Sequence, residues 1–272
     1  MSAAALYNGE TAADWTQARG LHYGDGVFRT LLVWEGECQH LDAQLERLDA
    51  DAARLGLRAP DARTLRTEAS ALAQGQSRAV LKILLWRQAT GRGYAPQGET
   101  CDRLLLRSPA PRYPGACWDR GILAQRSPVT LARQPLLAGI KHLNRLEQVL
   151  ASRGWAEEVQ EVLMADTAGQ VIAGSRSNLF WVRDGQLCTP ELAECGIAGL
   201  QRAHILALAR REGLPLAEAP ATWDTLQAAD EAFVCNSLIG IWPLHRLDAH
   251  TWPALRPLTR RLQALLDHPR LD

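Results

Sequence analysis

The chain has 272 residues, an apolar fraction of 47%, a charged fraction of 22% and a formal net charge of 0, ordinary values for a globular protein of one large or two modest domains. With no basic run, no zinc-finger spacing and no stretch near the roughly 20 apolar residues that span a bilayer, nucleic acid and membrane are not expected partners. The first ten residues have neither a basic start nor an apolar core, so the expected compartment is the cytosol.

In chain order, Leu6 to Asn8 and Gly26 to Trp34 read as a short and a longer strand. His40 to Leu55 has helical apolar spacing at Leu41, Leu45, Leu48, Ala52 and Leu55 and closes at Gly56, and Asp61 to Ala73 is a second amphipathic helix. Ala79 to Trp86 and Arg103 to Arg107 read as strands. The stretch Ser108-Pro-Ala-Pro-Arg-Tyr-Pro-Gly115 is the best candidate linker. Beyond it, Gly121 to Gln125 reads as a strand and Leu143 to Trp155 as a helix. Glu161 to Ala165, Val171-Ile172 and Leu179 to Val182 read as strands, with turns at Thr167 to Gln170 and Asp184-Gly185. Gly199 to Glu212 is a strong helix, Glu231 to Cys235 a short strand and Pro257 to Leu266 a closing helix. This alternation predicts two α/β or α+β domains: 1–110, a linker over 111–120, and 121–272.

The six cysteines are scattered, with no Cys-x-x-Cys pair and no histidine at ligand spacing, which predicts reduced structural thiols and no metal site. Of the 30 basic residues only two, Lys82 and Lys141, are lysine. Lysine alone can lose its proton and attack a carbonyl, so the candidates for amine chemistry are two. Lys141 lies in Leu136-Leu-Ala-Gly-Ile-Lys-His-Leu-Asn-Arg145, where apolar surroundings favour the neutral nucleophilic amine; a solvated lysine at a helix start is the competing reading. Lys82, in Val80-Leu-Lys-Ile-Leu-Leu85, reads as snorkelling from a strand.

Three further segments bear on binding. In Thr189-Pro-Glu-Leu-Ala-Glu-Cys-Gly-Ile-Ala-Gly-Leu-Gln-Arg202 a glycine-rich turn opens a helix, where unsatisfied amides suit a phosphate. Cys235-Asn-Ser-Leu-Ile-Gly240 offers more amides after a strand, and Gly91-Arg-Gly-Tyr94 can present a guanidinium fork to a carboxylate. A connecting loop and an exposed turn are the plain alternatives.

Together these segments, from Tyr23-Gly-Asp-Gly-Val-Phe28 to Ala229-Asp-Glu-Ala-Phe-Val-Cys-Asn236, resemble the aminodeoxychorismate lyases. These are a branch of the pyridoxal-phosphate enzymes of fold type IV, with the branched-chain and D-amino-acid aminotransferases. The most specific stretch is Leu137-Ala-Gly-Ile-Lys-His-Leu-Asn-Arg-Leu-Glu-Gln-Val-Leu150. The resemblance implies an α/β (α+β) two-domain fold with pyridoxal 5'-phosphate in the cleft between domains, and 121–272 as the cofactor-binding one. It implies a cytoplasmic homodimer acting on a small-molecule substrate in folate biosynthesis, releasing 4-aminobenzoate and pyruvate. It makes Lys141 the Schiff-base lysine and proton shuttle, and Thr30 a hydroxyl assisting proton transfer. Arg47, in Gln44-Leu-Glu-Arg-Leu48, is matched to the cofactor phosphate, with amides near Ile197, Ala198, Ser237 and Leu238. Arg92 and Tyr94 match positions facing a substrate carboxylate, with partner-subunit segments near the substrate.

One position departs from the pattern. In Val171-Ile-Ala-Gly-Ser-Arg-Ser-Asn-Leu-Phe180, Ala173 stands where the family places a glutamate against the pyridine nitrogen, which would strengthen the electron sink. Three readings follow: an unprotonated ring suffices because the product is aromatic, Arg176 or Glu194 interacts with the nitrogen instead, or function is altered. An aminotransferase on the same scaffold and a non-catalytic cofactor-binding relative are the alternative functions.

Overall fold

The computed structural model describes residues 4–11, 17–89, 91 and 93–272. Its first unit comprises the chain up to Pro111 together with Ile140–Asn144, and its second Arg112–Gly139 with Arg145–Asp272.

In the first unit the elements run β1 (Ala5–Tyr7), α1 (Arg19–Tyr23), β2 (Gly26–Trp34), β3 (Glu37–Cys38), α2 (Leu41–Arg54), α3 (Ala62–Ala73), β4 (Arg78–Arg87) and β5 (Cys101–Pro109). The strands form an antiparallel sheet in the order β1-β5-β4-β2-β3. Side chains alternate across a strand, so β2 sends Val27, Leu31 and Val33 to one face, where Leu45, Leu48 and Ala52 of α2 and Leu65, Ala69 and Leu72 of α3 complete a core. Phe28 and Thr30 point to the other face. Glu35 and Gly36, at φ 51° and 85°, make the left-handed two-residue turn that suits the twist of β2 and β3.

The Tyr23-Gly-Asp-Gly-Val-Phe28 segment has a physical reason for its residues. Asp25 accepts from Arg19 Nε at 2.9 Å and from Arg87 Nε at 3.1 Å. Buried Arg87 also donates to the carbonyls of Leu55, Gly56 and Gly98. Gly26 lies so close to the Leu85 carbonyl and the Trp86 backbone that no β-carbon fits.

The second unit begins inside the stretch expected as a linker. Residues 116–119 form a helical turn, α4 (Ala116–Asp119), because Cys117 and Trp118 are buried and Trp118 Nε1 donates to the Ile239 carbonyl at 2.8 Å. Then follow β6 (Ile122–Arg126), α5 (Leu146–Ala151), β7 (Glu161–Ala165), β8 (Val171–Gly174), β9 (Asn178–Arg183), β10 (Gln186–Thr189), α6 (Leu200–Arg211), β11 (Leu216–Glu218), α7 (Trp223–Gln227), β12 (Glu231–Asn236), β13 (Gly240–Leu247), β14 (His250–Thr251) and α8 (Pro257–Leu266). Their sheet runs β11-β10-β9-β12-β13-β6-β7-β8, and β8 also pairs with β9 through Ala173 and Asn178, closing β9, β12, β13, β6, β7 and β8 into a ring. Phe180 and Phe233 stack at 5.0 Å in a core shared with Ile205 and Ala209 of α6 and Leu262 of α8.

Two expectations need correction. The helix expected over Leu143–Trp155 is confined to α5, because residues 140–144 are extended: Phe28 N–H donates to the Lys141 carbonyl and Leu143 N–H to the Gly26 carbonyl, each at 2.9 Å. The same pairing takes Lys141 out of the 121–272 segment and into the first unit. Among the described residues no helix is long and apolar enough to cross a membrane, and no group of side chains is disposed to hold a metal ion.

Buried Glu231 anchors α8, accepting from Leu258 N–H (3.0 Å), Thr259 N–H (2.8 Å) and Thr259 Oγ1 (2.6 Å). A carboxylate at a helix N-terminus meets both unsatisfied amides and the positive end of the dipole. Glu231→Ala orphans all three donors, and the thermal midpoint is expected to fall by about 5 °C or more in a calorimetric scan.

Candidate active site

Lys141 is fixed by its backbone. Its carbonyl accepts from Phe28 and its N–H donates to Asp51 Oδ2 at 3.0 Å, while neighbouring Ile140 is fully buried in the β2–α2–α3 core. The Lys141 Nζ lies 4.6 Å from the centre of the Phe28 ring. Lys82 faces Thr30 directly across the β2–β4 ladder, and its Nζ lies 4.5 Å from the same ring. Both lysines of the chain therefore share one aromatic ring, on the sheet face opposite the core. Burial pulls the Lys82 amine below its ordinary range. Thr30 is half-buried on this face, and its hydroxyl has no hydrogen-bond partner among the described residues. The sequence offered Lys82 as one of two amine candidates and read it as snorkelling from a strand; its place across from Thr30 comes from the β2–β4 register.

Arg47 is half-buried on α2, one turn before Asp51, and its carbonyl accepts from Arg29 Nη2 at 3.1 Å. Arg92 lies outside the described residues. Tyr94 is 88% exposed, and its ring meets Tyr23 edge-on at 5.6 Å. Its turn is held by Gly93, whose N–H donates to the Tyr23 hydroxyl (3.0 Å) and whose carbonyl accepts from Arg19 (2.9 Å).

In the second unit the turn before α6 is built on Gly139. Gly139 N–H donates to the Gly196 carbonyl and Ala198 N–H to the Gly139 carbonyl, leaving Ile197 N–H without an acceptor among the described residues. Asn178, which sequence reasoning did not single out, clamps the turn from two sides. Its Nδ2 donates to the Ile197 carbonyl (2.8 Å), and its Oδ1 accepts from Gly199 N–H (3.2 Å). The α6 N-cap, Gly199, supplies no side-chain cap, and Gln201 Nε2 in the first turn is buried without a partner. A helix start with such unmatched donors suits a phosphate. At the other turn, Leu238 N–H donates to Asn236 Oδ1 (2.9 Å), and the Ser237 carbonyl lies 3.2 Å from His268 Nε2. The Ala198 and Leu238 amides thus already have acceptors, so these residues offer a phosphate the shape of their turns.

Ala173 is buried among Met164, Ile172, Leu131 and Cys195, opposite Asn178. Arg176 donates to the Gln160 carbonyl at 2.7 Å and lies over Trp155, and Glu194 pairs with Arg133 at 3.3 Å. Glu161, a buried carboxylate of β7, is engaged by Val162 N–H, both donors of Ser175 and the Ser177 hydroxyl. In the Lys-His-Leu-Asn-Arg segment, burial pushes the Arg145 guanidinium down to about 10.

Comparison with known proteins decides the family, since the amino-transferase class IV model matches residues 26–247. The chain belongs to that family. This class IV chain is 35% identical to the aminodeoxychorismate lyase of Vibrio harveyi, over 92% of its own length and 94% of that protein. It is similar to the crystal structure of 4-amino-4-deoxychorismate lyase from Pseudomonas aeruginosa, with TM-score 0.91 and 43% identity over 96% of this chain and 97% of that one. The T.th. branched-chain amino acid aminotransferase with pyridoxamine 5'-phosphate shares the fold at TM-score 0.84 and 22% identity, over 97% and 93% of the two chains. The two α/β (α+β) units are therefore those of fold type IV, as the motifs imply.

No thiol competes with the lysines for nucleophilic chemistry. All six cysteines are free, and burial pushes Cys38, Cys101 and Cys195 up to about 11. A raised thiol pKa means less thiolate at a given pH. At pH 8, iodoacetamide is expected to alkylate these three about tenfold or more slowly in the folded protein than in denaturant, as read by peptide mass spectrometry.

Proposed function

We propose that this chain is a lyase that converts 4-amino-4-deoxychorismate to 4-aminobenzoate and pyruvate, with pyridoxal 5'-phosphate as cofactor. The observation that carries the reading is the placement of Lys141. Its backbone is locked to β2, and its Nζ lies over Phe28 on the face that carries Thr30 and Lys82. Similarity to the Vibrio and Pseudomonas lyases over nearly the whole chain supports it.

The unmatched donors at Ile197 and Gln201 and the uncapped α6 fit the cofactor's phosphate. Arg47 is proposed to meet that phosphate as well, with Ala198, Ser237 and Leu238 shaping the turns around it. When bound, the cofactor supplies an electron sink for charge left on the substrate carbon. Lys141 holds the cofactor through its amine. Freed by the substrate's own amine, Lys141 Nζ removes the proton from the carbon bearing that nitrogen. The enolpyruvyl group then leaves with its bonding pair, and Thr30 Oγ1 or Lys141 Nζ delivers the proton that makes it pyruvate. Lys82 offers a cation to a substrate carboxylate.

Ala173 weighs for elimination over transamination, since formation of an aromatic ring drives the first and a reversible exchange benefits more from a protonated pyridine. A homodimer completes the proposal. Leu146, Val149 and Leu150 leave an apolar stripe uncovered on α5, and exposed Tyr94, with Arg92, suits a carboxylate at the partner's site. Free thiols fit a cytosolic location.

Feeding aminodeoxychorismate to the holoenzyme is expected to give 4-aminobenzoate and pyruvate in equal amounts. Lys141→Ala is expected to lower turnover by about 100-fold or more, and full turnover by that variant would reject the assignment. Lys82→Met is expected to raise KM about tenfold with a smaller change in kcat, as loss of one charge-assisted contact requires.

A further inference from the structure

On the core side of β2, Val27, Leu31 and Val33 are apolar, yet Arg29 sits among them at 2% exposure. Its Nη2 reaches Asp51 Oδ2 at 2.5 Å and the Arg47 carbonyl at 3.1 Å. The same Asp51 oxygen accepts the Lys141 N–H at 3.0 Å. One buried ion pair therefore touches the backbone of both Lys141 and Arg47. Stability does not account for it, because well-packed aliphatic residues at such a site are as stabilising as a desolvated pair or more so. Arg29 Nε is buried without a partner, a further cost of keeping an arginine there.

We infer that Asp51 and Arg29 form a positioning pair that fixes the main chain of Lys141 and of Arg47, and so sets where the Lys141 amine stands. The inference rests on Lys141 being the reactive amine. Asp51 and Arg47 stand four residues apart on α2, so they share one face of the helix and move together. With its carbonyl held by Phe28 and its N–H by Asp51, Lys141 has both backbone polar groups tied, and only its side-chain torsions move Nζ. The pair also sets the local field. Among the described residues, the charged groups of this unit placed about the pair and the Phe28 ring include Arg29 on β2, Lys82 on β4, and Arg47 and Asp51 on α2. Arg29 feels both α2 charges: Asp51 supports its cation, while Arg47 and burial oppose it.

The test uses Asp51→Asn, Arg29→Met and the double variant, since a single change strands a buried charge and the double change does not. With two lysines in the chain, competitive acetylation of the cofactor-free protein, read by mass spectrometry over a pH series, reports Lys141 against Lys82 as internal control. Asp51→Asn removes a neighbouring anion and is expected to lower the Lys141 midpoint by about one pH unit; Arg29→Met exposes that anion and raises it similarly, with Lys82 moving less. In the holoenzyme, Asp51→Asn is expected to reduce kcat about tenfold or more with KM within about twofold. The double variant recovers the thermal midpoint without recovering kcat. Recovery of both together, or a Lys141 midpoint unmoved in all three variants, would overturn the inference. A wild-type protein that acetylates as expected but never takes up pyridoxal phosphate would instead reject the proposed function and leave the pair standing.

Discussion

Residues 140–144, far along the chain, belong to the first unit and hydrogen-bond along its first long strand, and most of what is distinctive about this chain depends on that pairing. Backbone groups buried without partners are costly, so an extended segment beside an edge must match its amides and carbonyls to the strand. Matching them fixes register, and register decides which side chains share a face. Lys141 is thereby on the face of Phe28, Thr30 and Lys82, while Ile140 enters the core with Leu48 and Ala52. A slip of one residue would exchange the two and bury the amine among aliphatic side chains.

In the second unit, closure of the strands into a ring has a comparable role. Ala173 stands where β8 meets β9, and the partner across that junction, Asn178, also clamps the 197–199 turn. The 197–199 turn is thus attached to a closed sheet and does not hang from a loop. Glu161, a buried carboxylate of β7, already accepts from four donors that shape the Ser175–Ser177 bend. Arg176 and Glu194 are likewise occupied elsewhere, so the missing carboxylate has no evident substitute among them.

Much of this was legible in the residues. The apolar spacing of α2 and α3 and the glycine after α2 marked two helices that the structure has within a residue or two, and Glu35-Gly36 and Asp184-Gly185 are left-handed turns. The family followed from a few dense motifs, and the same motifs put forward Lys141 as the lysine to test. Long-range pairing was less visible. Leu143 to Leu150 has helical periodicity, but Leu143 contributes its N–H to Gly26, a partner more than a hundred residues away, and the helix waits until Leu146. β13 was missed because Pro243 argues against a central strand; the ladder to β6 shifts register just beyond it, between Leu244 and Arg246. Asn178 and Asp51 carried no local signal, since each acts on backbone far away in sequence.

The scarcity of lysine, together with the shared Phe28 ring, has a chemical corollary. An aldehyde condenses with any accessible primary amine, and an ordinary protein surface presents many decoys. Here the other 28 basic residues are arginine, so guanidiniums supply the cationic surface, and no side-chain amine exists outside the Phe28 face. A surface so poor in side-chain amines offers a reactive carbonyl few places to condense away from the Phe28 face.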